Sequence, residues 1–373
     1  MNSSDVFYSD LRTTPRRNLL DKVETLLEGA GVSRRVQRGD LVAVKLHFGE
    51  KGNTSFIRPV FVRRVIDVLK ALGAKPFLTD ANTLYVGSRG EAVSHLETAL
   101  QNGFDYTATG APLIIADGLR GSTSVRVPVA GKHITQAVVA AEIAHADVLV
   151  GLAHFKGHEL SGFGGALKNL GMGCAAREGK LAQHSTVAPK VKKKLCVVCG
   201  ECVQWCAQGA ISVGEAAFID SERCVGCGEC ILTCPQGAIQ VQWNEGPETM
   251  QEKMAEYALG VLQGKRDKSL FVNFVTQVSP ACDCYGHNDA PIVGDVGIFS
   301  SADPVALDQA CVDRVNARPG NEGTALTANW APGEDKFRGV YTKIDWSAQL
   351  RHAEELGLGT RTYRIEDIGA AAR

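Results

Sequence analysis

The chain has 373 residues, a formal net charge of −1 at pH 7 and an apolar content of 45%. This length suffices for about two domains with a buried core. The near-zero charge gives no field that would favour nucleic acid or an anionic membrane as a partner. The first residues lack the apolar core of a secretory signal, and the sequence predicts no transmembrane helix. We therefore expect a cytoplasmic protein, in which the twelve cysteines favour metal binding over disulfides.

The first half of the chain alternates between strand-like and helix-like patterns. Apolar runs predict strands over residues 41–49, 75–80 and 146–155, and apolar spacings of three and four predict helices over residues 57–74 and 90–104. Alternating strands and helices indicate a parallel sheet that is covered by helices on both faces.

Two matched cysteine runs follow this region. The run CVVCGECVQWC spans Cys196–Cys206, and the run CVGCGECILTCP spans Cys224–Pro235. In each run the first three thiolates can reach one cubane cluster, while the fourth turns towards the neighbouring cluster, as in two-cluster bacterial ferredoxins. The tails GAIS (209–212) and GAIQ (237–240) follow the runs in step and indicate a module with internal twofold symmetry.

This spacing predicts two 4Fe–4S clusters. The first would take Cys196, Cys199, Cys202 and Cys234, and the second would take Cys224, Cys227, Cys230 and Cys206. The alternative is zinc bound by two C-x-x-C pairs, which two identical quartets fit less well. The segment 188–245 resembles a bacterial-type ferredoxin domain, although Ala207 stands where the pattern has proline.

A basic segment precedes the first run. It contains Lys190, Lys192, Lys193 and Lys194. These lysines form either a solvated linker or a surface that steers an acidic partner. Since ferredoxin-type clusters carry electrons, we expect a redox partner protein that donates or accepts them.

The pattern after the cysteine runs returns to strand and helix. An apolar run predicts a strand over residues 270–279, and the segment DPVALDQACVDRV predicts a helix over residues 303–315 with Asp303 as its N-cap and Pro304 in its first turn. The predicted fold class is therefore α/β: a mostly parallel sheet with helices on both faces, interrupted by an inserted α+β ferredoxin domain. The α/β domain would consist of residues 1–187 and 246–373, and the insert of residues 188–245.

Polar residues follow four of the predicted strands, where open α/β sheets bind ligands. We expect them to surround one pocket: Lys45, His47, Lys51, Asn53, Thr54, Asp80, Asn82, Thr83, His154, Lys156, His158, Ser161, Lys168, Asn169, Cys282, Cys284, His287, Asp289 and Asp295. Within this region Gly162, Gly164 and Gly165 precede a helical start. Free amides at such a helix N-terminus would favour an anionic cofactor or substrate, and the alternative is a packing loop.

Four segments resemble the family known as domain of unknown function 362: KLHFGEKGN, HFKGHELSGFGGALKNLGMG, CDCYGHNDAPIVGDVGI and DPVALD. This resemblance implies a ferredoxin-fused member of a family without an assured activity. The stretch from His158 to Lys168 also resembles a loop of nickel-pincer lactate racemases. In that loop the lysine holds the pincer cofactor covalently and the histidine takes part in proton transfer. Lys168 and His158 stand at the matching positions, and Leu167 replaces the arginine of the loop.

Four cysteines lie outside the two runs. Cys282 and Cys284 enclose one residue, and they form a third metal site, a redox pair or two ordinary loop thiols. Cys174 and Cys311 are interpreted as buried small apolar residues. Four histidines in helix or strand contexts are interpreted as structural: His95, His133, His145 and His352.

Together these patterns predict an iron–sulfur oxidoreductase that passes electrons from two clusters to a small anionic substrate or cofactor in the pocket. Lys168 and the glycine-loop amides would hold the anionic group, and His158 or His154 would deliver protons. The remaining wall residues would be Lys45, His47, Asp80 and Asn82. Two alternatives stay open: an electron carrier whose α/β domain only docks a partner, and a racemase-like enzyme with a metal cofactor.

Overall fold

An eight-stranded sheet forms the centre of the protein in the computed structural model, which describes residues 3–85 and 87–369. The strands before the cysteine runs are β1 (Ser4–Ser9), β2 (Leu41–Lys45), β3 (Lys75–Asp80), β4 (Leu113–Ile115), β5 (Ser124–Pro128), β6 (Gln136–Ala140), β7 (Val148–His154), β8 (Lys156–His158) and β9 (Gly162–Gly164). The helices of this region are α1 (Leu19–Gly29), α2 (Val32–Arg35), α3 (Pro59–Ala71), α4 (Ala92–Gln101), α5 (Tyr106–Thr109), α6 (Ala141–His145), α7 (Ala166–Gly171) and α8 (Arg177–His184).

The cysteine-rich region forms short elements: β10 (Lys190–Val191), α9 (Glu201–Gln204), β11 (Ile211–Val213), β12 (Ala217–Ile219), α10 (Glu229–Thr233) and β13 (Ile239–Gln240). Two antiparallel pairs join β10 to β13 and β11 to β12. The chain then continues through α11 (Pro247–Leu262), β14 (Ser269–Val275), β15 (Gly297–Ser301), α12 (Pro304–Asn316), α13 (Lys336–Val340), α14 (Ser347–Glu355) and β16 (Tyr363–Asp367).

The sheet has the strand order β16–β1–β15–β14–β7–β2–β3–β4. All neighbouring pairs are parallel except the two that β15 makes with β1 and β14. The parallel pair β7–β14 joins strands from the two sides of the cysteine-rich region. This mostly parallel sheet confirms the predicted α/β class, whereas the antiparallel β15 and the edge strand β16 were not predicted.

Several observed elements are shorter than their predicted ranges, whereas the strand over residues 75–80 forms as predicted and α12 is shifted by one residue. The predicted helix over residues 57–74 forms from Pro59, whose ring favours the first turn, to Ala71, and Gly73 follows with a φ of +81°. The predicted strands 41–49 and 270–279 end at Lys45 and Val275, so their polar continuations form loops over the sheet. Asp303 is the predicted N-cap of α12 and accepts hydrogen bonds from the two amides that follow Pro304.

Apolar side chains cover both faces of the sheet. Leu149 and Phe271 belong to one core cluster, and their strand neighbours Val150 and Val272 belong to another. Successive residues of a strand point to opposite faces, so this alternation places one cluster on each side. Among the residues that the structure describes, no helix combines the length and the apolarity needed to cross a membrane.

A buried carboxylate connects three elements beneath the cavity described below. Asp308 on α12 accepts hydrogen bonds from the amides of Ala166 (2.7 Å) and Leu167 (2.9 Å), which begin α7. It also accepts one from Asn273 Nδ2 on β14 at 2.7 Å. Burial raises the pKa of Asp308 to about 6, although the three donors favour its charged form. The carboxylate therefore fixes where α7 starts relative to the sheet.

Replacing Asp308 with alanine would leave the amides of Ala166 and Leu167 without this acceptor, and Asn273 Nδ2 would keep only its hydrogen bond to Cys311 Sγ. Each unsatisfied buried donor costs free energy, so we expect Asp308→Ala to lower the free energy of unfolding by about 3 kcal/mol. Urea unfolding followed by circular dichroism measures this change. The control is Asp313→Ala, which removes an exposed carboxylate from the same helix and should change the stability by about 0.5 kcal/mol. Equal effects of the two variants would contradict the role of Asp308.

Candidate functional site

A cavity of about 870 Å³ lies beyond the carboxyl ends of β2, β3 and β7. Its volume lies in the range of small-molecule sites. Many residues that the sequence predicted for a pocket line it: Lys45, His47, Lys51, Asp80, Thr83, His154, Lys156, His158, Gly165, Lys168, Asn169, Cys282 and Cys284. They meet because parallel strands end at the same edge of the sheet.

Other predicted pocket residues are not part of the cavity lining: Asn53, Thr54, Asn82, Ser161, Gly162, Gly164, His287, Asp289 and Asp295. Asn82 is fully buried, and its Nδ2 donates to Asp117 Oδ1 (2.8 Å) and to the carbonyl of Gly118 (2.9 Å). Asn53 Nδ2 donates to the carbonyl of Tyr285 at 3.2 Å. The amides of Asn82 and Asn53 therefore hold loops together.

The glycine loop does not offer the free amides that the sequence suggested. The amides of Ala166 and Leu167, which follow Gly165, donate to the carboxylate of Asp308. This carboxylate takes the place of the anionic ligand that the sequence suggested. A Cβ on Gly165 would lie 2.3 Å from Asp308 Oδ1, and a Cβ on Gly162, whose φ is +73°, would lie 2.5 Å from Trp346 Cβ. These glycines permit close packing, which was the alternative interpretation of the loop.

Buried ion pairs form the floor of the cavity. Lys45 Nζ lies 3.0 Å from Asp80 Oδ1 and donates to Asn169 Oδ1 at 2.8 Å. Arg89 lies 3.4 Å from the other oxygen of Asp80 and 3.2 Å from Glu50 Oε2. Burial alone would raise the pKa of Asp80, but the neighbouring positive charges, first that of Lys45, outweigh it and hold this pKa below its ordinary value. Asp80 is therefore ionised at neutral pH.

Cys282 and Cys284 lie beside a lysine in the cavity wall. Lys168 Nζ donates to Cys282 Sγ at 3.5 Å, and the amide of Cys284 lies 3.4 Å from the same sulfur. A hydrogen bond from the Cys284 thiol and the charge of Lys168 hold the pKa of Cys282 well below its ordinary value, although burial opposes them. The same hydrogen bond raises the pKa of Cys284. Of the two thiols, Cys282 is therefore the one that ionises more readily.

Two imidazoles in the cavity wall are neutral. His47 Nδ1 accepts the amide hydrogen of Gly49 at 3.0 Å, and His158 Nδ1 accepts those of Leu160 and Ser161 at 3.2 Å. Burial first, and then the neighbouring cations, lower the pKa of both rings well below the ordinary value. Each ring therefore keeps its hydrogen on Nε2 and can donate a hydrogen bond, but His158 is not tuned to titrate near neutral pH as the sequence suggested.

His154 is held from both sides. Its Nδ1 lies 2.9 Å from Asp283 Oδ1, and its Nε2 lies 2.9 Å from the carbonyl oxygen of Thr276. Lys156 Nζ lies 3.4 Å from Asp283 Oδ2. Although burial opposes ionisation, the interactions with His154 and Lys156 hold the pKa of Asp283 far below its ordinary value. His154 thus fixes the loop after β14 to the end of β7.

Several cavity residues were missed by sequence reasoning: Glu50, Leu84, Tyr85, Arg89, Lys180, His184 and Trp243. Arg89 lies in the loop after β3, close in sequence to the predicted Asp80. Asp283 lies beside the cavity, between the predicted Cys282 and Cys284. Closeness in sequence to predicted site residues could therefore have indicated both. Lys180 and His184 lie on α8 in a segment without a recognisable motif.

The first predicted cysteine quartet surrounds a small cavity of its own. Cys196, Cys199 and Cys202 line this cavity together with Cys234 from the second run. For the other quartet, burial and then the charges of neighbouring thiols raise the pKa of Cys230 to about 12; those thiols are Cys227, Cys224, Cys202 and Cys206. The fourth cysteine of each run thus lies beside the three leading cysteines of the other run.

The internal repeat is visible in the backbone. The amide of Ala210 donates to Cys206 Sγ at 3.2 Å, and the amide of Ala238 donates to Cys234 Sγ at the same distance. Gly209 and Gly237 precede these amides with φ angles of +55° and +56°. Within residues 3–85 and 87–369, no three His, Cys, Asp or Glu side chains converge on a point that could hold one metal ion. In a cubane each thiolate binds a separate iron, so its ligands need not converge in this way.

The two runs differ in their surroundings. A Cβ on Gly228 would meet Arg177 Cδ at 3.1 Å and Leu84 Cδ1 at 3.5 Å, whereas a Cβ on the equivalent Gly200 would meet nothing within 4 Å. Glu229 also lies 3.5 Å from Arg120 and 3.6 Å from Arg177. The second run therefore packs against the α/β part of the chain around Gly228 and Glu229, and the first run contacts it through Trp205, whose ring lies 3.9 Å from the guanidinium carbon of Arg120.

The fold and these two sites define an α/β protein with a cysteine-rich module and a cavity at the strand ends. The chain belongs to the family described as Domain of unknown function (DUF362), whose sequence model matches residues 42–313. This match confirms the family resemblance of the four quoted segments. No curated protein matches the chain.

Two solved structures are similar to the chain. The lactate racemase apoprotein from Thermoanaerobacterium thermosaccharolyticum has 11% sequence identity and a TM-score of 0.41, over 85% of this chain and 58% of that chain. A protein from Thermotoga maritima has 10% identity and a TM-score of 0.36, over 69% of this chain and 49% of that chain. This chain thus spans less than two thirds of either structure, and TM-scores below 0.5 do not bear on its activity.

The thiolate of Cys282 should make it the most reactive thiol outside the two cysteine runs. We expect iodoacetamide to label Cys282 at pH 6 faster than Cys174, whose pKa burial raises to about 12. Lys168→Met should slow this labelling about tenfold because it removes a charge that stabilises the thiolate. Site-resolved mass spectrometry measures both rates, with the exposed Lys132→Met as the control. Unchanged labelling in Lys168→Met would show that the lysine does not stabilise the thiolate.

Proposed function

We propose that this protein is an iron–sulfur oxidoreductase, in which two 4Fe–4S clusters pass electrons to an anionic substrate in the cavity. The observation that carries this proposal is the crossed grouping of the cysteines. Cys234 joins the three leading cysteines of the other run around one small cavity. This crossed ligation is the arrangement of two-cluster bacterial ferredoxins.

The thiols and their surroundings fit such clusters. Backbone amides donate to the sulfurs of Cys196, Cys206 and Cys234, and hydrogen bonds of this kind stabilise thiolates and tune cluster potentials. Two amide hydrogen bonds, from Ala217 and Val198, lower the pKa of Cys196. When bound, the clusters would supply single electrons.

The packing of the second run supports the proposal that electrons leave the cysteine-rich module from the second cluster towards the large cavity. Leu84 lines the large cavity and also belongs to the apolar cluster that contains Cys230 and Cys202, and of the two equivalent glycines only Gly228 lies against it. Arg177 packs against Gly228 in the same contact. The second quartet therefore lies next to the cavity wall, and the first quartet would take up electrons at the surface.

The charges of the large cavity support an anionic substrate. Its lining contains six Lys or Arg residues and three Asp or Glu residues. The thiolate of Cys282 and the carboxylate of Asp283, which lies 3.4 Å from Lys156, offset two further positive charges, and His47 and His158 contribute none. One positive charge therefore remains in excess when Lys180 is protonated. In a low-dielectric site this excess of positive charge attracts an anion.

The residues of the cavity wall have three different roles in this proposal: they orient the substrate, donate hydrogen bonds to it or supply a proton. Lys45 and Arg89 are fixed by Asp80 and would orient the anionic group. The Nε2–H groups of His47 and His158 would donate hydrogen bonds to it and stabilise charge that develops during reduction. Cys282 and Cys284 share a hydrogen bond beside Lys168. The proton of this hydrogen bond could be transferred to the reduced product.

Two alternatives fit less well. A carrier whose α/β domain only docks a partner would not need several buried charges around a cavity, because burying charges costs free energy. A racemase-like enzyme would need Lys168 as the covalent attachment point of its cofactor. Although burial favours the free amine, the thiolate of Cys282 raises the pKa of Lys168, and the resulting ammonium is a poor nucleophile.

Iron and acid-labile sulfide counts on protein purified without oxygen test the clusters. We expect about eight irons and about eight sulfides per chain, because each 4Fe–4S cluster holds four of each. Cys199→Ala and Cys227→Ala should each lose about half of both, whereas Cys174→Ala should keep the full count. Zinc without sulfide would overturn the proposal at its first step.

The surface beside the first quartet predicts the chemistry of an electron donor. Leu195, Val197 and Val198 are exposed there, next to Lys193 and Lys194. We expect Lys193→Glu/Lys194→Glu to slow reduction of the clusters by an acidic flavodoxin about tenfold at low salt, with the difference fading at high salt.

Stopped-flow absorbance measures this rate. The control is Lys75→Glu/Lys343→Glu, which changes the net charge equally at exposed positions outside the cysteine-rich region. Reduction by photoexcited deazaflavin should be the same in all variants. Equal flavodoxin rates at low salt would contradict a docking role for these lysines and support the solvated-linker interpretation.

A further inference from the structure

We infer that Lys180 is the reactive amine of the large cavity and that it forms an imine with a small carbonyl compound that carries an anionic group. Lys180 lies on α8, one turn before His184, and both side chains line the cavity. This inference concerns a covalent step that does not depend on the clusters.

The other buried lysines of the cavity each have an anionic partner. The pairs are Lys45 with Asp80 (3.0 Å), Lys156 with Asp283 (3.4 Å) and Lys168 with Cys282 (3.5 Å). Lys180 Nζ instead donates to the carbonyl oxygen of Ala175, and no ion pair joins it to a carboxylate in the described part of the chain. A carbonyl oxygen stabilises an ammonium less than a carboxylate does, so Lys180 is the buried cavity amine that most readily loses its proton.

The surroundings of Lys180 favour the free amine. Burial lowers its pKa to about 8, even though the more distant Asp117 and Asp80 act in the opposite direction, and the charge of Lys45 adds to the lowering. His184 is neutral and adds no charge beside Lys180, because burial first, and then neighbouring lysines, lower its pKa to about 3. A useful fraction of Lys180 is therefore unprotonated near neutral pH, as a nucleophilic lysine requires.

The step itself is balanced without an oxidant or a reductant. The free amine of Lys180 attacks the carbonyl carbon, and a carbon–nitrogen bond forms while the carbon–oxygen π bond breaks. The oxygen takes one proton from the nitrogen and a second from solvent, which equals the proton that Lys180 released when its ammonium ionised. That oxygen then leaves as water when the carbon–nitrogen double bond forms. The protonated imine carries the same charge as the original ammonium, so Asp80 and Asp117 would stabilise it equally well.

The cavity also defines the substrate class. An imine requires an aldehyde or a ketone, and the excess of Lys and Arg in the lining favours a carboxylate or phosphate on the same molecule. Lys45 and Asp80 belong to one ion-pair network with Arg89, which would orient that anionic group. A 2-oxo acid is the smallest compound that meets both requirements.

Borohydride trapping tests this inference on the whole, iron-loaded protein. The protein is incubated with pyruvate, reduced with sodium borohydride and digested, and the modified lysine is located by mass spectrometry. We expect the reduced adduct on Lys180, with about tenfold less labelling by acetone, which has the carbonyl but no charge. Mapping the adduct on the unaltered chain requires no variant to fold.

Two variants sharpen the result. Lys180→Arg should abolish the adduct, whereas Lys132→Arg, at an exposed position, should leave it unchanged. Adducts on Lys168 or on surface lysines, or equal labelling by acetone and pyruvate, would overturn the inference. Iron and sulfide are counted on the same samples, so a failed trapping with intact clusters rejects the imine and leaves the proposed electron transfer standing.

Discussion

The buried ion pair between Lys45 and Asp80 is the interaction on which the cavity depends. It joins the ends of β2 and β3, and charges at such depth are stable only when every partner is present. Asn169 from α7 and Arg89 from the loop after β3 supply those partners. Because Asp80 is paired with Lys45, Lys180 is left with the carbonyl oxygen of Ala175 and with the more distant carboxylate of Asp117.

The parts of the site that lie at strand ends were predictable, because apolar runs end where polar residues such as His47 and His154 begin. The grouping of Cys234 with the three leading cysteines of the other run was predictable from spacing, and the role of both quartets as cluster ligands stays a prediction. Asp308 was not, since its partners on α7 lie about 140 residues earlier in the chain and no local pattern links them. Lys180 was missed for a related reason: what distinguishes it is a missing partner, and a sequence does not show which lysines are paired.

The cysteine-rich module combines a symmetric sequence with asymmetric surroundings. Gly200 and Gly228 occupy equivalent places, yet only the second lies against side chains of the α/β part. The repeat is also visible in the backbone. Val198 and Gly226 each lie directly before the second cysteine of their run, and both have a positive φ, of +59° and +70°. A repeat of one half-module thus produces two thiol quartets with the same pattern of burial but with different neighbours in the α/β part.

The pairing of β10 with β13 has a consequence for how the chain can fold. The cysteine-rich region begins and ends in neighbouring strands, so it closes its own loop before β7 and β14 must meet. The closed module shortens the flexible connection between those two central strands, which offsets about 0.5 kcal/mol of closure entropy. The two ends of the module lie side by side in β10 and β13. A module of this kind can therefore be inserted between two neighbouring strands of a sheet at almost no cost in the free energy of folding.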